Sequence, residues 1–87
     1  MRQLKFDGGA FDDFCNWAIY GKKVFKKIVE LLKSIKRTPY QGIGKLELLK
    51  FNQSGYWSRR ITNEHRLVYK VDEKGNIFIA SCKGHYS

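Results

Sequence analysis

The clearest pattern in the chain lies between positions 22 and 37. Val24, Ile28, Leu31, Leu32 and Ile35 recur at i, i+4, i+7, i+8 and i+11, which puts one apolar stripe along a helix. Lys22, Lys23, Lys26, Lys27, Lys33, Lys36 and Arg37 occupy its other faces, and Thr38-Pro39 ends it, because proline pushes the preceding residue out of the helical region. Upstream, Leu4 and Phe6 alternate with Gln3, Lys5 and Asp7, the period of a half-buried strand that Gly8-Gly9 is expected to break. Phe11, Phe14, Cys15 and Ala18 then return to helical spacing. Asp12 and Asp13 are expected in the first turn of this shorter helix, where the helix dipole favours negative charge. Gly21 separates the two helices, and so short a link predicts an antiparallel hairpin.

After position 40 the pattern changes to short alternating runs. Residues 41–45 read as a loop leading into a short segment at 46–51, and 52–55 as a turn. Strands are expected over 56–61 and 65–71. A glycine-containing loop at 72–76 leads to a third strand over 77–83. The predicted architecture is α+β: an N-terminal strand and a two-helix hairpin packed on one face of an antiparallel meander, in a single domain over 1–87. The other sheet face is left to solvent or ligand.

Charge sharpens this picture. With 17 Lys and Arg against 8 Asp and Glu, the chain carries a formal net charge of +9 over 87 residues, and nucleic acid is the leading polyanion to match it. A membrane is a poor partner, because no apolar run approaches the roughly 20 residues that span a bilayer. The N-terminal residues hold no signal-like apolar stretch, and Cys15 and Cys82 read as two reduced, buried thiols, so a cytoplasmic address is expected. A core this small is marginal, which leaves room for stabilisation by a protein partner or by self-association.

Metal-independent RNA cleavage needs a base for the 2′-hydroxyl, an acid for the departing 5′-oxygen and cations for the charge that builds on phosphorus. His85 is the best acid, since imidazole titrates near neutrality. Its place also fits an exposed histidine in a frayed tail. Glu47, alone among Leu46, Leu48, Leu49 and Lys50, is the best base; spacing alone fits a solvated edge-strand carboxylate equally well. Glu64 is a second carboxylate, readable as a turn residue or as an ion-pair partner for an arginine. Lys50, Arg59, Arg60 and Arg66, interleaved with Tyr56 and Trp57, could bind phosphates and stack on bases, or form a solvated basic face. Gly42-Ile43-Gly44-Lys45 is not a phosphate-binding loop, because its spacing is wrong and Leu46 follows the lysine. Cys82 and His85 lack the second ligand pair that a structural zinc site needs, so no cofactor or metal is expected.

Three stretches carry a family resemblance: Arg37-Thr38-Pro39-Tyr40-Gln41-Gly42-Ile43-Gly44-Lys45, the central block running from Asn52-Gln53-Ser54-Gly55-Tyr56-Trp57-Ser58-Arg59-Arg60 through Glu64-His65-Arg66-Leu67-Val68-Tyr69, and the ending Cys82-Lys83-Gly84-His85-Tyr86. Together they resemble the YoeB (Txe) toxins of the RelE superfamily. The resemblance implies a fold like that of microbial ribonucleases and cleavage of mRNA in the A site of the 70S ribosome, giving 2′,3′-cyclic phosphate and 5′-hydroxyl ends. It implies Glu47 as general base and His85 as general acid, with Arg66 stabilising the phosphoryl transition state. Lys50 and Arg60 would bind phosphate, Tyr86 would orient His85 or the substrate, and Glu64 would position the arginines. It further implies a YefM/Axe-type antitoxin whose C-terminal segment covers the site, and a homodimer as a further assembly. Two positions depart from the family: Leu46 and Leu48 stand where prolines flank the glutamate, and Lys83 stands where arginine is usual, which keeps the charge and loses the planar fork.

Overall fold

In a computed structural model, residues 2–50 and 55–84 are described. The elements run β1 (Leu4–Phe6), α1 (Gly8–Tyr20), α2 (Lys22–Arg37), β2 (Glu47–Leu48), β3 (Trp57–Arg60), β4 (Arg66–Val71) and β5 (Ile77–Ser81). The strands form one sheet in the order β1-β5-β4-β3-β2. Its meander is antiparallel as expected. β1 differs: it pairs parallel with β5, Leu4 opposite Ile77 and Phe6 opposite Ile79, because the helical hairpin carries the chain back before the meander begins.

The helices cover one face. Ile28, Leu31, Leu32 and Ile35 of α2 meet Leu67, Tyr69, Ile77 and Ile79 of the sheet in a single core, the stripe that the spacing predicts. Burying each such side chain contributes roughly 1.5–3 kcal/mol. α1 adds Ala10 and, around it, Phe14 and Trp17. Phe14 packs against Phe6 of β1 at 5.3 Å and Phe25 of α2 at 4.9 Å between ring centroids. Gly8 and Gly9 are the first helical residues and not a break. Asp7 takes the N-cap, its Oδ2 accepting the Gly9 N–H at 3.0 Å, so the acidic residue at the positive end of the dipole is Asp7, and Asp12 and Asp13 sit beyond the first turn. Gly21 is required by crowding, since a Cβ there would lie 2.6 Å from the Trp17 ring. Of the predicted turn at 52–55, residues 52–54 lie outside the described residues and Gly55 is in a turn, at φ +90°.

One buried cation ties the layers together. Arg59 of β3 is fully buried. Its five N–H groups meet five oxygens: Nε donates to the Tyr69 hydroxyl at 3.1 Å, Nη1 to Ser34 Oγ at 2.7 Å and the Ile43 carbonyl at 3.3 Å, and Nη2 to the carbonyls of Thr38 and Gln41, both at 2.9 Å. Tyr69 in turn donates to the Pro39 carbonyl at 2.6 Å. Thr38 is the C-cap of α2, so the guanidinium lies where the negative end of the helix dipole and its orphan carbonyls favour a cation. Gly42, at φ +126°, lets the loop close over it: a Cβ would stand 2.5 Å from Ser34 Oγ and 2.9 Å from Arg59 Nη1.

Tyr69→Phe removes the bond to Pro39 and strands the Arg59 Nε–H in the core. Urea denaturation should show a loss of about 1–3 kcal/mol, the cost of a buried unpaired polar group.

Candidate phosphate site on the open sheet face

Side chains alternate across a strand, so the residues beside the core-facing ones turn outward. On β3, Trp57 and Arg59 face the helices, which sends Ser58 and Arg60 to the opposite face, where Ser58 and its partner Val68 are buried and Arg60 is half-buried. Across the ladder Arg60 is paired with Arg66, and Glu47 of β2 is paired with Ser58. Glu47, Arg60 and Arg66 therefore converge, and with Lys45 and Leu46 they line a cleft of about 400 Å³. Lys45 reaches it from a left-handed backbone at φ +48°, and its Gly44 neighbour accepts the Arg60 N–H, which clips the loop to the edge of β3.

The electrostatics of this cleft are unbalanced. Two arginines directly opposite on one face repel each other, Lys45 adds a third cation, and Glu47 is the sole carboxylate in the lining among the described residues. Arg66 is fixed by Nη1 donating to the Thr62 carbonyl at 2.9 Å. The Nε–H of Arg60 is buried and has no acceptor among the described residues. Such a cleft is relieved by an anion with several acceptor oxygens, and a phosphodiester has the charge and the lone pairs for it.

The predicted site residues divide by location. Glu47, Arg60 and Arg66 share the cleft. Arg59 does not: it is an interior residue with every donor engaged, and its assignment to substrate phosphate is corrected on that ground. Lys50 is exposed where the chain leaves β2, two residues beyond Leu48. Glu64 is exposed in the connection between β3 and β4, with its backbone N–H on Thr62 Oγ1 at 3.1 Å; it is the Thr62 carbonyl that steadies Arg66. Lys83 lines a different hollow, of about 270 Å³, with Asp13, Asn16, Trp17 and Tyr20. His85 and Tyr86 lie outside the described residues. Lys45 is the cleft residue that sequence reasoning passes over, because its loop fails as a nucleotide motif and only the bridge to Arg60 reveals its place.

The cysteines also separate. Cys15 is exposed, contrary to the expectation of two buried thiols, because it falls on the outer side of α1. Cys82 is fully buried, donating to the Ala10 carbonyl at 3.5 Å. Burial first, and the nearby Asp13 carboxylate second, push its thiol up to about 12. Burial also raises the Tyr69 hydroxyl, against the lowering influence of Arg59.

The fold and the cleft define a class: a small basic α+β domain with two arginines and a carboxylate lining a cleft on the sheet face opposite its helices. Residues 6–86 match the family described as YoeB-like toxin of bacterial type II toxin-antitoxin system, and the chain belongs to that family. Toxin YoeB of Synechocystis is 55% identical over 84 residues, which is 97% of this chain and 96% of that one. Among solved structures, the YoeB/ParE toxin of Agrobacterium tumefaciens superposes with a TM-score of 0.92 at 40% identity, covering 97% of this chain and 99% of that one. YoeB in the YoeB-YefM complex from Staphylococcus aureus gives 0.89 at 53% identity, covering 99% of both. A YoeB dimer from the same organism is equally similar, at 0.89 and 53% over 98% of both chains.

In the native protein iodoacetamide should label Cys15 at pH 8 and spare Cys82, as read by mass spectrometry. Cys82 and Tyr69 hold their protons more tightly folded than unfolded. Stability should therefore be undiminished below about pH 9 and should fall as pH rises from there toward 12, less steeply in Cys82→Ala.

Proposed function

We propose that this toxin is a ribosome-dependent, metal-independent endoribonuclease that cuts mRNA in the A site and so stops translation in the cytoplasm. The observation that carries the reading is the Arg60–Arg66 pair, facing each other across one sheet face with Glu47 at its edge. Like charges held opposite one another cost stability, and a phosphate between them converts that cost into binding.

In this reading Glu47 takes the proton from the 2′-hydroxyl, and the resulting alkoxide attacks the adjacent phosphorus. Charge grows on the non-bridging oxygens, where Arg66 and Arg60 donate, with Lys50 and Lys45 adding to the field. His85 protonates the departing 5′-oxygen, with Tyr86 orienting it, and the products are a 2′,3′-cyclic phosphate and a 5′-hydroxyl. Glu47 also gives the cleft a polarity: it lies on the β2 side of the arginine pair, so the nucleophilic 2′-oxygen is expected on that side and the leaving group toward the C-terminal end of β5. The resemblance to the YoeB-YefM complex supports a YefM/Axe-type antitoxin as protein partner, and the YoeB dimer supports self-association. An acidic antitoxin segment lying over the arginine pair would neutralise the cations that the substrate needs.

A translation reaction on one defined mRNA, with 5′ ends mapped by primer extension, tests the reading. Cuts should fall inside A-site codons, only when ribosomes are present and equally in EDTA-treated toxin. Glu47→Ala and His85→Ala should each reduce cleavage roughly 10²–10⁴-fold. Ribosome binding without any cut would make the basic face a binding surface and end the enzymatic reading.

A further inference from the structure

The end of β5 is held by contacts that the chemistry above does not explain. Gly84 is bonded on both sides by two consecutive residues at the start of β4. Its N–H donates to His65 Nδ1 at 2.9 Å, and its carbonyl accepts the Arg66 N–H at 2.8 Å. His65 is itself pinned, since its carbonyl accepts the N–H groups of Ile61 at 3.0 Å and Thr62 at 3.1 Å. Trp17 of α1 meets the imidazole edge-on at 4.9 Å between centroids, and its Nε1 donates to the Cys82 carbonyl at 3.1 Å. The chain is thus fastened at Cys82 and again at Gly84, where it turns through a left-handed φ of +76° that favours glycine. An Nδ1 that accepts a backbone N–H belongs to a neutral imidazole carrying its proton on Nε2.

The residue after Gly84 is His85, and the residue after His65 is Arg66. The dipeptide His65-Arg66, at the entry to β4, therefore grips the chain just before the proposed acid while its arginine lines the cleft. We propose that His65 is a positioning residue for cleavage: its Nδ1 holds Gly84 against Arg66, and Gly84 is the residue to which the proposed general acid is joined. The inference rests on the ribonuclease reading. A misplacement near 1 Å in a reacting group costs about 10²-fold in rate, so a single lost hydrogen bond at Gly84 has a kinetic consequence out of proportion to its stability.

The test compares His65→Leu, which fills the space without an acceptor, with His65→Asn, whose Oδ1 stands near the position of Nδ1. Single-turnover cleavage on programmed ribosomes gives kcat and KM, and the Gly84 amide proton is followed by NMR shift and exchange rate. His65→Leu should lose the Gly84 hydrogen bond and roughly 10²-fold in kcat, with KM for ribosomes within about twofold. His65→Asn should keep the amide signature and recover most of kcat. If the leucine variant melts early, the comparison is made between the two variants at equal folded fraction. A leucine variant that cuts like wild type, or an asparagine variant that keeps the Gly84 bond and cuts no better than leucine, overturns the proposal. A wild-type chain that makes no ribosomal cut overturns the ribonuclease reading instead, and the amide measurement then still reports whether His65 holds Gly84.

Discussion

The buried guanidinium of Arg59 is the constraint on which the remainder of the structure depends. A cation with no carboxylate beside it is costly to bury unless every donor finds an oxygen. Here the acceptors come from the side chain near the end of α2, the C-cap carbonyl, the loop at 41–43 and the β4 tyrosine. The Thr38 carbonyl also accepts the Gln41 N–H and the Gln41 carbonyl the Thr38 hydroxyl, and the guanidinium adds a donor to each of these segments at once. The loop that follows α2 is therefore shaped from inside. That loop delivers Lys45 and Gly44 to the edge of β3, and beyond them Glu47 to its place opposite Ser58.

Two adjacent arginines thus have opposite duties for one geometric reason. Alternation along β3 puts Arg59 among the core residues and Arg60 on the open face beside Arg66. The irregularity at Val68/Tyr69, where the β5 partner skips from Ile79 to Ser81, then leads the last strand past the start of β4. Bulges of this kind bend a strand and re-aim the residues beyond them. The result brings Gly84 onto His65 and Arg66, so the sheet that holds the phosphate-facing arginines also holds the root of the C-terminal segment.

Much of this was legible in the residues. The α2 stripe and the boundaries of β3 to β5 within a residue or two follow from periodicity, whereas the grouping of Glu47 with Arg60 and Arg66 comes from the family resemblance, the spacing alone fitting a solvated carboxylate and a solvated basic face as well. The parallel pairing of β1 was not legible, because three alternating residues carry no sign of their partner's direction. Arg59 was misassigned because arginine in a basic aromatic block suggests ligand binding, although the two-residue period of β3 allows only one of Arg59 and Arg60 to face outward. The inward phase of Trp57 could have decided which. His65 was passed over because one hydrogen bond to a backbone amide leaves no pattern in sequence.

The most direct test of the division between these arginines compares Arg59→Met with Arg60→Met, measuring thermal unfolding and ribosomal cleavage on the same preparations. Arg59→Met should fail to fold or lose at least about 1–3 kcal/mol, the cost of leaving buried acceptors without donors, with cleavage falling only as the folded fraction falls. Arg60→Met should unfold at the wild-type temperature or above it and cut roughly 10²–10³-fold more slowly, as when one transition-state donor is removed. Equal melting of wild type and Arg59→Met, or undiminished cleavage by Arg60→Met, would contradict the account.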